Sequence, residues 1–190
     1  SGSSHATTRG CSPRGSEARA RHSRARPHDL SGLSTGVVMA ALIPPTYEDA
    51  ALVLRLYELR REEKLREARE WFRAKFFPQS YEDVKAVALS AGADNTHYRM
   101  VTTYWDMATS FVAQGVLHPE LFFDSGGEAL FVWAKLEAYV PQLRQEQQSP
   151  RLLANLEKAI AMVPRAAERV GVIRARMAGY RERVVKAEKS

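Results

Sequence analysis

Residues 62–77 read EEKLREAREWFRAKFF, and the arrangement of side chains within this stretch decides the fold class. Leu65, Ala68, Trp71, Phe72 and Phe76 fall on one stripe at helical spacing, with charged residues filling the positions between them. The stretch opens with Glu62 and Glu63 and closes with Arg73 and Lys75, the order that a helix dipole favours. Pro78 then ends it, because proline has no N–H to continue the ladder. No part of the chain shows the strict apolar/polar alternation of a half-buried strand, so the class expected is all-α.

The same pattern extends outward from both ends. Upstream, Thr46 with Asp49 forms a capping-box pair ahead of a helix that carries Val53, Leu54 and Tyr57 on one face. That helix either continues into 62–77 or is separated from it by a kink near Arg61. Downstream, Ser80 with Asp83 starts a short third helix ending near Gly92. Asp94 or Asn95 then caps a long fourth helix through Tyr98, Val101, Trp105, Ala108 and Val112, and Gly115 stops it. His118-Pro119 begins one turn, with proline at the first helical position. A fifth long helix runs from about Gly127 through Leu130, Trp133, Leu136 and Val140, and Pro141 should kink or break it. Ser149-Pro150 and Pro164 open two more. The expectation is a helical bundle of about six to eight helices whose last member is long and heptad-patterned.

In that last helix Ala166, Val170, Ile173, Met177, Tyr180 and Val184 step by four and three alternately, which is a heptad seam. Its other faces carry Arg165, Arg169, Arg174, Arg176, Arg181, Arg183, Lys186 and Lys189 against Glu168, Glu182 and Glu188. Such a seam wants an apolar partner, either within its own bundle or in a second subunit.

The formal charge of the 190-residue chain is +6, but it is unevenly placed. Residues 1–38 hold six arginines, no lysine, and only Glu17 and Asp29 in opposition, leaving 39–190 with 22 basic and 20 acidic groups. We read 39–190 as a single helical domain beginning at Met39, and 1–38 as a disordered Arg/Ser-rich tail or a non-native upstream segment, since its composition cannot bury enough apolar surface to offset ordering. Leu30 to Ile43 is the most apolar run. It is interrupted by Ser31, Gly32, Ser34, Thr35 and Gly36 and falls short of the roughly 18 apolar residues that a spanning helix needs. Signal-peptide and interfacial-anchor readings of the same run are weaker alternatives. A cytoplasmic protein is expected.

Several chemistries find no support. The single cysteine, Cys11, lies in the tail, so a disulfide scaffold and a cysteine-based zinc site are excluded from the body. "DSGG" at 124–127 matches four letters of a serine-protease nucleophile segment, but it sits between helices, where two glycines permit a tight turn. Asp94 and His97 make a lone metal-compatible pair, and no phosphate-cradling glycine loop is present. No catalytic residue, metal or cofactor is assigned, and the protein is not expected to be an enzyme. Two charged residues nevertheless stand on apolar faces, Asp106 beside Trp105 and Arg69 before Trp71-Phe72. They are expected either to pair with each other and fix helix register, or to line a small-ligand pocket with Trp71, Tyr98, Trp105 and Trp133.

An ordered series of residues also resembles a bacterial all-helical family of unknown function. The series comprises Arg69 after "REA", Asn95, Gly115, Leu117, Pro119, Trp133 with Leu136, Arg144, and Asn155 with Glu157, within about residues 47–160. The resemblance implies an all-helical fold with no assigned activity. Members of that family often look tethered to a membrane by an N-terminal helix, and this chain departs there.

Three functions are therefore expected, in order. The first is a non-enzymatic adaptor or scaffold working through protein contacts or self-association along Val170, Ile173, Met177, Tyr180 and Val184. The second is nucleic-acid binding through the arginine arm and the basic last helix. The third is a ligand-binding or enzymatic protein with a pocket near Arg69 and Trp105.

Overall fold

A computed structural model describes residues 44–188, with side chains described as far as residue 179. The tail expected at 1–38 lies outside the described residues, as do the side chains of Tyr180 and Val184. Among the described residues there are nine helices and no strand: α1 Tyr47–Leu59, α2 Glu63–Ala74, α3 Tyr81–Ala88, α4 Ala93–Ala113, α5 Pro119–Ser125, α6 Glu128–Leu136, α7 Val140–Glu146, α8 Ala154–Ala161 and α9 Pro164–Glu188. The all-α class stands. No described helix is long and apolar enough to cross a membrane.

Local chemistry sets most of the boundaries. The Thr46 hydroxyl accepts from the Asp49 N–H at 3.2 Å while the Asp49 carboxylate accepts from the Thr46 N–H at 2.8 Å, closing the capping box of α1. Ser80 and Asp83 repeat that box for α3. A turn at 60–62 separates α1 from α2, and Glu62 caps α2 by accepting from the Leu65 N–H at 2.8 Å. Gly115 takes φ +73°, and the N–H groups of Val116 and Leu117 then fold back onto the Phe111 carbonyl at 2.8 and 3.1 Å. His118 caps α5 through Nδ1, which accepts from the Leu121 N–H at 3.3 Å.

Three boundaries differ from the sequence reading. The long helix expected after Gly127 is two, α6 and α7, because Pro141 sits in the first turn of α7 and the chain turns just before it. Ser149-Pro150 forms turns rather than a helix start; α8 begins at Ala154, preceded by Leu153 in the left-handed region at φ 54°. The residue capping α4 is Gly92, without a side-chain bond, and Asn95 instead reaches back to donate to the Val87 and Ala88 carbonyls at 3.1 and 2.8 Å.

α4 is the hub, packing against α2, α3, α6 and α8, while α9 lies on α6 and α8, and α1 on α5. Ala68 of α2 and Ala108 of α4 are fully buried, as are Val84, Val112, Leu130, Leu136, Leu143 and Leu156. Thr102 and Thr109 are buried on α4 too, and each hydroxyl returns to a carbonyl one turn back, Tyr98 at 2.8 Å and Trp105 at 2.7 Å.

Candidate functional site

The two charged residues expected to pair with each other do not. Arg69 forms a bidentate bond to Glu128, with Nε and Nη2 each donating at 2.6 Å, and Nη1 donates to the Arg60 carbonyl at 3.0 Å. It therefore ties the α1–α2 corner to the first turn of α6, and the Glu128 carboxylate holds its pKa above the ordinary arginine value. Asp106 faces the opposite neighbour. Its carboxylate accepts from the Asn155 N–H and side-chain amide, both at 3.0 Å, and from the Leu156 N–H at 3.1 Å. α8 has no side-chain cap from its own N-cap residue, Leu153, so a carboxylate from α4 supplies it.

The same device recurs at other helix ends. Arg144 donates to the Leu152 carbonyl at 3.0 Å and to Glu157 at 2.8 Å. Asp49, besides its own cap, accepts from the His118 N–H at 2.7 Å. Arg69, Asn95, Arg144, Asn155 and Glu157, all residues of the family-like series, are thus engaged in fastening helix ends or the turns beside them.

Lys135 was not singled out in the sequence, although it is the one basic residue inside the apolar run of α6. It is 5% exposed. Its Nζ donates to the Phe72 carbonyl at 2.7 Å and to the Phe76 carbonyl, closing the C-terminal end of α2. The rings of Phe77, Phe131 and Phe72 surround it at 3.9, 4.6 and 5.2 Å. Burial pushes its pKa down to about 7, with the Arg73 charge adding to the effect.

The aromatic residues expected to line one pocket belong to two groups. Trp71 stacks on Phe76 at 5.5 Å and meets the His97 ring at 5.6 Å, and Phe76 in turn meets Tyr98 edge-on at 5.7 Å. Trp105 packs edge-on against Tyr104 and Phe122, at 5.0 and 6.4 Å. Trp133 is 5% exposed within the core. The depression beside Trp105 has a volume of only about 40 Å³, well below the roughly 300 Å³ at which ligand pockets begin. A larger groove of about 920 Å³ runs past Arg69 and Trp71, but it is lined by each residue from Arg69 to Lys75. His97 of α4 and Glu128, Phe131 and Val132 of α6 also line it, so it is a groove where α2 meets those two helices.

α9 offers a different kind of surface. Ala166 and Val170 are 1% and 3% exposed, and Ile173 and Met177, further along the same seam, are half-buried and also packed against the core. The helix nonetheless continues to Glu188, about 16 Å beyond Met177 at 1.5 Å per residue. Arginines beside the covered half meet acids of the body: Arg169 lies 3.5 Å from Asp124 and donates to the Phe123 carbonyl at 2.7 Å, and Arg174 lies 2.7 Å from Glu137. Arg169 passes close to Gly127 of "DSGG", where a Cβ would stand 3.3 Å from its Nη2. Among the described residues no group of three His, Cys, Asp or Glu side chains is gathered in the manner of a metal site.

No curated protein and no solved structure matches the chain. A family model does match, over residues 45–162, from just ahead of α1 to the end of α8. With the match covering well over half of its length, the chain belongs to the family described as a domain of unknown function, DUF4760.

Proposed function

We propose that this protein is a non-catalytic, cytoplasmic helical adaptor that holds a partner protein along α9. The observation that carries the reading is the change of burial along one continuous seam, from 1% and 3% exposed at Ala166 and Val170 to half-buried at Ile173 and Met177, with the helix and its heptad register running on past them. Heptad positions along a long helix are a common means by which one chain grips another. α9 also lies beyond the segment that the family model matches, as an attachment to the helical body would.

The pocket reading draws less support, because Arg69 and Asp106 are engaged at helix ends and Trp71 and Trp105 sit in separate packed groups. The test is the double variant Tyr180→Ser/Val184→Ser in the full chain. If these positions serve a partner, the melting temperature stays within about 2 °C of wild type while proteins cross-linked to α9 in cell extract disappear. A large fall in melting temperature would mean that the seam is closed within the chain itself, and the adaptor reading would be lost.

A further inference from the structure

We propose that the groove beside α2 binds a small amphiphilic anion, a molecule with an apolar body ended by a carboxylate. This stands apart from the adaptor reading, since α9 contributes no residue to the groove.

The volume of about 920 Å³ lies in the range of small-molecule sites. The apolar part of the lining comes from three helices: Trp71 and Ala74 of α2, Phe131 and Val132 of α6, and the His97 ring of α4, which lies 5.6 Å from that of Trp71. Ala74 is exposed and Phe131 only half-buried, so part of this apolar surface is left facing solvent. An apolar body laid there would remove it from water.

The charges along the groove call for an acid on that body. Every carboxylate in the lining is already held: Glu128 by Arg69 and Arg60, Glu70 by Arg73 at 2.6 Å, and Glu67 by Lys64 at 3.3 Å. Arg69 and Arg73 are taken up in those pairs. The other two cations of the lining, Arg66 and Lys75, are exposed and form no ion pair among the described residues. They stand about 13.5 Å apart along α2 at 1.5 Å per residue, with Trp71 and Ala74 between them in the sequence. An acid anchored on either one lays its body along the floor toward the other. A cationic amphiphile would cover the same floor and leave both cations unanswered. A nucleic-acid strand, with a charge about every 3.4 Å, would set phosphates beside Glu67 and Glu70 and leave the floor bare.

The full chain is titrated by calorimetry with dodecanoate below its micellar concentration, and with dodecyltrimethylammonium as the charge-reversed control. One dodecanoate is expected per chain, bound at least about tenfold more tightly than the control. The double variant Arg66→Glu/Lys75→Glu changes two exposed side chains, and should lose at least about tenfold in dodecanoate affinity with its melting curve unchanged. Ala74→Arg separates groove binding from mere attraction, because it adds a cation while filling the floor, and it should weaken binding. Equal affinity for the two amphiphiles, uptake that does not saturate, or a double variant that binds like wild type overturns the proposal. Tighter binding by Ala74→Arg overturns it too, since charge alone would then be the cause. So does unfolding of the double variant, which would assign Arg66 and Lys75 to the fold.

Discussion

Lys135 ends among three phenyl rings with its nitrogen on two carbonyls, and its environment acts against the charge that the rings would welcome. With a folded pKa lowered from 10.5 to about 7, the folded state binds fewer protons than the unfolded chain between those values. Stability should therefore rise with pH across that window, and should be lost as pH falls toward 7. Tyr98 and Tyr104 act in the opposite sense, since burial raises both and their contribution is lost as pH climbs above the ordinary tyrosine value of 10.0. Urea unfolding between pH 7 and 9.5 isolates the lysine: wild type should gain roughly 3 kcal/mol relative to Lys135→Met over that range. Parallel curves for the two proteins would show the amine to be equally charged throughout. At Asp106, replacement by Ala leaves the α8 N–H groups without their acceptor, and a loss of about 2 kcal/mol is expected. Because Asn155 shares the contact, a double-mutant cycle between Asp106→Ala and Asn155→Ala should return a coupling of about 1 kcal/mol, and strict additivity would deny it. Sequence pattern singled out Arg69 and Asp106 as charges on apolar faces but joined them to each other. Periodicity tells which face a residue occupies and not which helix lies opposite, and the true partners, Glu128 and Asn155, look like ordinary polar residues at helix starts.

At the level of elements, the fastenings explain why helix termini were read with mixed success. Thr46, Ser80 and Gly115 cap or stop their own helices, and local chemistry of that kind is written in neighbouring letters. α8 is capped from 49 residues away, so its start could not be found near Ser149. Two substitutions probe these two kinds of boundary. Gly115→Ala forces a side chain into φ +73° and should cost about 1 kcal/mol, with Gly115→Asn costing less. Arg69→Lys keeps the charge but cannot reproduce the two-pronged bond to Glu128, so thermal unfolding should show a loss of about 2 kcal/mol, near that of Arg69→Ala. Full rescue by lysine would reduce the clasp to a simple charge attraction. The break between α6 and α7 follows the same logic as the caps, for Pro141 was visible and its position in the first turn of a new helix depended on a turn that residues 137–139 could make.

For the molecule as a whole, the all-α class was legible because amphipathic stripes recur along the chain, and the hub role of α4 was not, because packing order is a property of the assembled helices. The family match supplies no activity. α9 packs on the body through Ala166, Val170, Ile173 and Met177.

The use of distant side chains to finish helix ends carries a consequence for how the protein is born. A chain made from its N-terminus first brings out α2 long before Lys135, α4 long before Asn155, and the Arg60–Arg69 corner long before Glu128. During synthesis each early helix must wait, its terminal carbonyls or amides still wet, for a residue roughly 50 or 60 positions further along. Stable partial structures on the ribosome should therefore be scarce, and the bundle should lock late and nearly at once, when α6 and α8 emerge to close what α2 and α4 began.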